Sequence, residues 1–160
     1  MDIMDEDLLQ FWEVLKSNDV RYLIIGGLAV RFHGFKRGMK DIDIWVDFSD
    51  TNIVNLNNAI KSLGGVEIDS TEVNKGEGWF QVLYSDGDAI KIFSQLKGVD
   101  VPFEECLNIS PVAEIEGIMV PFLHINQLLA NKKAVFRPKD QIDVIELEKI
   151  KEERRKMGLD

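Results

Sequence analysis

The chain has 160 residues, 45% of them hydrophobic and 29% charged, with a formal net charge of −9. That length and balance fit one globular domain over residues 1–160, large enough to bury a core. The acidic balance excludes a protein that coats nucleic acid, which needs a basic footprint, but it leaves room for a single nucleic-acid end as substrate.

From its start, the chain predicts a helix from about Asp5 to Ser17, with Leu8, Leu9, Phe11, Trp12 and Leu15 on one side. Arg21 to Ile25 reads as a buried strand, Leu28 to His33 as a short helix ended near Gly34, and Asp41 to Val46 as a second strand. Asp50 or Thr51 would cap a helix running to about Leu63, with Ile53, Val54, Leu56, Ile60 and Leu63 facing inward. Gly64-Gly65 stops it. Val66 to Val73 reads as a strand, followed by a polar loop at Lys75-Gly76-Glu77-Gly78. Trp79 to Tyr84 and Ala89 to Phe93 are strands joined by Ser85-Asp86-Gly87-Asp88, a good hairpin turn. Val112 to Glu116 and Ile118 to Phe122 make a second hairpin about Gly117.

The end of the chain is helical. Ile125 to Val135 is one helix, Arg137-Pro138 interrupts it, and Lys139 to about Lys156 is the last, with Ile142, Val144, Ile145, Leu147 and Ile150 as its buried side. The fold class is therefore α+β, a mixed sheet flanked by helices with a helical C-terminal end. Cys106 is the lone cysteine, which excludes an internal disulfide and a cysteine zinc site. The acidic start is unlike a signal peptide, and no apolar run approaches the ~20 residues that cross a bilayer. The expectation is a cytoplasmic protein without a membrane partner.

The chemistry is concentrated early. An apolar strand ends at Gly26-Gly27, a short helix follows, and the next strand carries Asp41-Ile42-Asp43. Side chains alternate along a strand, so Asp41 and Asp43 share one face. Two carboxylates so close repel each other unless a cation neutralises them. Mg²⁺ suits such ligands and completes its shell with water and substrate phosphates. Glycines at a helix N-terminus let backbone N–H groups approach a phosphate. Phosphate cradle and metal carboxylates together point to nucleotidyl transfer.

The stretch from Gly26-Gly27 through Asp41-Ile42-Asp43 resembles the signature of the DNA polymerase β-like nucleotidyltransferase superfamily. Gly26-Gly27-Leu28-Ala29-Val30-Arg31-Phe32-His33-Gly34 is similar to its minimal members, the relatives of abortive-infection toxins and of antitoxins that modify a partner toxin. Leu128-Leu129-Ala130-Asn131-Lys132-Lys133-Ala134, then Arg137-Pro138-Lys139-Asp140-Gln141-Ile142-Asp143, is similar to their closing helix motif. The resemblance implies that Gly26 and Gly27 hold a nucleoside triphosphate, and that Asp41 and Asp43 bind Mg²⁺ (or Mn²⁺). It implies that Lys132 approaches the triphosphate with Arg137 and Lys139 as helpers, while Asp140 and Asp143 position those bases. An acceptor hydroxyl, on a protein, an RNA end or a small molecule, attacks the α-phosphorus and pyrophosphate leaves.

Two positions depart from that pattern. Met39 stands where a small hydroxyl residue is common. Lys91 falls where a third metal carboxylate is expected, and Asp88, three residues upstream, lies on the opposite face of a regular strand. The antibiotic-modifying members carry an aspartate and a tryptophan around the glycine pair, where this chain has Ile25 and Leu28. Two functions stay open: a Mg²⁺-dependent nucleotidyltransferase, in a toxin–antitoxin or defence setting, or a decayed nucleotide-binding or antitoxin-like module that binds a partner toxin. His33 reads as a structural residue at a helix end, and Cys106 lacks a base partner for nucleophilic chemistry.

Overall fold

The computed structural model describes residues 5–69, 79–85 and 88–159. Its helices are α1 (Glu6–Ser17), α2 (Gly26–His33), α3 (Asp50–Ser62), α4 (Phe103–Asn108), α5 (Ile125–Val135) and α6 (Pro138–Lys156). Its strands are β1 (Tyr22–Ile25), β2 (Asp41–Val46), β3 (Trp79–Ser85), β4 (Asp88–Phe93), β5 (Val112–Ile115) and β6 (Ile118–Pro121).

Four strands form one sheet in the order β1-β2-β4-β3. β1 runs antiparallel to β2, β2 parallel to β4, and β4 antiparallel to β3. The sheet is therefore mixed, and the crossover between parallel β2 and β4 is long enough to include α3. β5 and β6 form a separate hairpin whose turn has Glu116 and Gly117 both at positive φ, +48° and +80°, as a two-residue type I′ turn requires. The hairpin is tied to β1 by a bridge between Ile24 and Phe122 and by the Leu123 N–H donating to the Ile24 carbonyl.

The sheet has an apolar side and a polar side. Ile42, Ile44, Ile90 and Ile92 alternate with the charged residues of β2 and β4 and are fully buried. α1 contributes Leu8, Phe11, Trp12 and Leu15 to the same core, at the heptad-like spacing read from the sequence. Trp12 stacks on Tyr22 with ring centroids 5.9 Å apart.

Several expectations are corrected. α3 is capped by Ser49, whose hydroxyl accepts from the Asn52 N–H, rather than by Asp50 or Thr51. Val54 on that helix is exposed. Residues 66–69 are irregular, with Val66 exposed and Ile68 held by Asn57, so no strand begins there. The rest of that stretch, the 75–78 loop and the 86–87 turn lie outside the described residues. α4 is a helix that periodicity did not announce. On α6, Leu147 is buried in the core and Val144 and Ile150 pack against it as expected, but Ile142 and Ile145 are exposed, because the first turns of the helix point Asp140 and Asp143 inward to meet cations.

Two polar groups fix the frame. Buried Asn52 accepts from the Arg21 N–H at 2.7 Å and donates to the carbonyls of Arg21 and Asp47 at 3.0 and 2.7 Å, stapling α3 to the ends of β1 and β2. His33, at the C-terminal end of α2, sits between the Leu123 carbonyl at 2.8 Å from Nε2 and Arg154 of α6 at 3.2 Å from Nδ1. A guanidinium only donates, so Nδ1 accepts and Nε2 carries the proton. Burial pushes the imidazole down to about 4; the Leu123 carbonyl opposes this, and the Arg154 and His124 charges add to it.

Replacing Asn52 by Ala strands three backbone groups and is expected to cost about 2–3 kcal/mol in urea unfolding; a variant within ~0.5 kcal/mol of wild type would contradict the staple. For His33 the folded pKa lies below the unfolded one, so the unfolded state takes the proton first and stability falls as pH drops from 6.5 towards 4. Between pH 7 and pH 5 the loss is roughly 2 kcal/mol. His33→Asn is expected to flatten that part of the stability–pH curve, read as the difference in slope between the two proteins.

Candidate active site

β1 delivers the chain to the site and Gly26 turns it. Gly26 has φ of +64°, and a Cβ there would lie 2.5 Å from Asp43 Oδ2. Both the backbone and the close approach of the carboxylate demand glycine. β1 and β2 pair so that Ile25 stands opposite Asp43, which brings the start of α2 beside the carboxylate. Gly27 is the second residue of the helix, and a Cβ on it would meet Arg37 Nη1 at 2.8 Å. The glycine pair therefore begins α2 instead of preceding it.

Asp41 and Asp43 lie on one face of β2, half-buried. Asp43 stands opposite Lys91 in the parallel β2–β4 register, so Lys91 shares that face. Its Nζ is 3.4 Å from Asp41 Oδ2. Asp43 Oδ1 is buried without a hydrogen-bond partner. Burial raises the Asp43 pKa, the Lys91 charge lowers it, Asp41 raises it again, and Lys132 and Lys139 lower it. Asp88 is the first residue of β4, and the register irregularity nearby falls on β3, between Leu83 and Ser85. Asp88 thus keeps its odd offset from Lys91; its side chain lies outside the described residues.

Behind Asp43 is a buried ionic cluster. Lys132 of α5 is 5% exposed and sits 3.1 Å from Asp140 Oδ1 and 3.0 Å from Asp143 Oδ2, both on α6. Asp140 also accepts from the backbone N–H and Nε of Arg137, at 3.0 and 2.7 Å. Burial alone would raise Asp140, but the bonds from Arg137 and Lys132 outweigh it and hold the carboxyl at about 2. Arg37, from the connection between α2 and β2, reaches Asp143 Oδ2 at 3.3 Å. Asp143 Oδ1 is buried and unpaired.

Lys132, Asp140 and Asp143 thus form one unit, to which exposed Arg137 is joined through Asp140. Lys139 is exposed, and its charge reaches Asp43. Lys133 points elsewhere and pairs with Glu148 at 2.7 Å. Arg37 escaped the sequence reading; its only signal was the basic pair Lys36-Arg37 between the two motifs. The side chains converging here are cation-rich: Lys91, Lys132, Lys139, Arg37 and Arg137 against four aspartates.

The donor set fits one Mg²⁺ that other ligands would have to complete. Two carboxylates on one face and an orphaned oxygen on Asp43 supply hard ligands. Among the described residues no group of three or more His, Cys, Asp or Glu gathers to form a protein-only cage. Water and phosphate oxygens would complete the shell, as Mg²⁺ commonly requires.

The fold is shared with solved nucleotidyltransferases. A crystal structure of ANT(2'')-Ia in complex with adenylyl-2''-tobramycin superposes with a TM-score of 0.58 at 16% identity, covering 90% of each chain. The solution structure of the same antibiotic-resistance factor gives 0.58 at 16% identity, covering 95% of this chain and 89% of that one. A candidate nucleotidyltransferase from Thermotoga maritima gives 0.53 at 16% identity, covering 94% and 90%. At such identities the likeness establishes the α+β nucleotidyltransferase fold. No curated protein sequence matches the chain. No described helix is long and apolar enough to cross a membrane. A family model matches residues 4–160, and the chain belongs to that family, the nucleotidyl transferases of unknown function (DUF2204).

Proposed function

We propose that the protein is a Mg²⁺-dependent nucleotidyltransferase that moves a nucleoside monophosphate from a nucleoside triphosphate to a hydroxyl acceptor. The observation that carries this reading is Gly26 pressed against Asp43, with Asp41 on the same strand face. The start of α2 offers backbone N–H groups to phosphate beside two carboxylates suited to a hard cation. Mg²⁺, when bound, would supply Lewis-acid stabilisation of charge on the attacking and leaving oxygens.

This chain's own residues do the rest. Gly26 and Gly27 admit the phosphate tail to the backbone. Lys139 and Arg137, at the rim, meet the β- and γ-phosphates. Lys132, with Asp140 and Asp143, holds α5, α6 and Arg37 in place around the tail. The acceptor oxygen forms a bond to the α-phosphorus as the bond to the β-phosphate bridge breaks. The hydroxyl proton leaves to solvent water, since both carboxylates are taken up as ligands of the cation. The acceptor is a protein side chain, an RNA end or a small molecule; the ANT(2'')-Ia likeness extends to fold alone.

Lys91 favours a second reading. An ammonium faces Asp41 on the carboxylate face, and an ammonium has no lone pair with which to ligate a cation. A chain of this kind can keep nucleotide binding while serving as an antitoxin-like module for a partner toxin.

Pyrophosphate release separates the readings. With all four nucleoside triphosphates, Mg²⁺ or Mn²⁺ and protein, RNA and small-molecule acceptors, wild type is expected to release pyrophosphate, and Asp41→Asn or Asp43→Asn to lower the rate at least ~100-fold. An inert wild type with an active Lys91→Asp variant would establish the second reading instead. Lys132→Met removes the one cation shared by the two buried carboxylates, leaving Asp140 to Arg137 and Asp143 to Arg37, and is expected to cost about 3 kcal/mol of stability. A fully stable Lys132→Met protein would mean that the cluster is not what holds α5 and α6 together.

A further inference from the structure

The Lys91–Asp41 pair has the properties of a removable contact. It joins the two central strands across the face where phosphate and cation must meet, with Nζ 3.4 Å from Asp41 Oδ2. The side chains are 29% and 36% exposed, so water screens the pair and it is cheap to break. By contrast, the cations behind it are committed: Lys132 is buried between two aspartates, and Arg37 is bound to Asp143. Lys91 is therefore a cation on the carboxylate face whose contact with Asp41 can be exchanged.

We propose that Lys91 is a resident counter-ion that the incoming nucleotide exchanges. In the free protein its ammonium occupies Asp41 and competes with a divalent cation for that carboxylate. When a nucleoside triphosphate enters, a phosphate offers Lys91 a stronger, charge-assisted partner. Lys91 passes to the phosphate, and Asp41 is released to the cation that accompanies it. No covalent bond changes; the Lys91–Asp41 contact gives way to a Lys91–phosphate contact and an Asp41–cation contact. The site thus takes its divalent ion with the nucleotide rather than before it. The inference rests on the nucleotide-binding reading above and adds an order of binding and a role for Lys91.

Two titrations on wild type, Lys91→Met and Lys91→Arg test it. The first uses Mn²⁺ alone, followed by electron paramagnetic resonance. Lys91→Met is expected to bind Mn²⁺ about 3- to 10-fold more tightly than wild type, since the competing ammonium is gone. The second uses ATP in excess EDTA, followed by calorimetry. Wild type is expected to bind, and Lys91→Met to bind at least about tenfold more weakly, with Lys91→Arg restoring most of the loss. Lys91→Gln replaces Lys91→Met if the latter melts more than a few degrees below wild type.

The two arms must move in opposite directions. Unchanged or weaker Mn²⁺ binding in Lys91→Met overturns the competition. Unchanged ATP binding without metal overturns the transfer of Lys91 to phosphate. A wild type that binds no nucleotide, with or without Mg²⁺, refutes the nucleotidyltransferase reading itself, and the exchange falls with it.

Discussion

Two carboxylates on the inward face of α6 are withdrawn from water, and Lys132 makes that possible. Asp140 and Asp143 sit a helical turn apart, so they meet the same partner. An isolated buried carboxylate would be expensive, and a pair of them more so. Lys132 Nζ lies within 3.1 Å of both, and Arg137 and Arg37 approach from either side. The cluster draws together α5, α6 and the connection between α2 and β2. It therefore fixes the ring of positive charge around Asp43, since Arg37, Arg137 and Lys139 all hang from elements that it positions. Breaking the cluster would loosen the lining of the site before it loosened the sheet.

The sheet supplies the other half of the geometry. A parallel β2–β4 pair places Asp43 and Lys91 side by side, whereas an antiparallel β1–β2 pair sets the glycine turn beside the same carboxylate. A mixed sheet is what brings a strand end, a helix start and a neighbouring strand to one place. At the other end of the polar face Trp45 closes the surface, with its indole against Phe103 at 5.0 Å and its N–H directed to the Ser94 carbonyl. The site is consequently open at the glycine end and sealed by aromatics at the far one.

Much of this was legible in the sequence because it is local. Asp41–Val46 and Ile125–Val135 have the bounds their patterns announce, and Lys91, at the position where the family resemblance expects a third carboxylate, does stand on the carboxylate face. What escaped is what depends on distant partners. Ile142 and Ile145 look like core by helical periodicity, but the face of α6 that turns inward carries Asp140 and Asp143 to Lys132, eight and eleven residues away, along with Leu147 to the core. Ser49 outcompetes Asp50 as a cap because the helix starts one residue earlier than its acidic residue suggests. Lys132 carried no sign of burial, since a lysine in a helix reads as solvated until both of its aspartates are seen to face it. Arg37 had no motif at all, and only the fold shows that it lies over Gly27.

The opposition between the chain's overall charge and the lining of its site has a kinetic consequence. The whole protein carries −9, while the side chains around Asp43 are weighted towards cations. Charges on the outside act over a Debye length of about 8 Å at physiological salt, and those inside act at contact. A long polyanion meets the repulsive surface over its whole length. A compact phosphate tail, on the function proposed above, would be repelled only during approach and then meet lysine and arginine. The same charges that slow encounter thus sort anions by size, and rising ionic strength would erode the sorting before it eroded the grip.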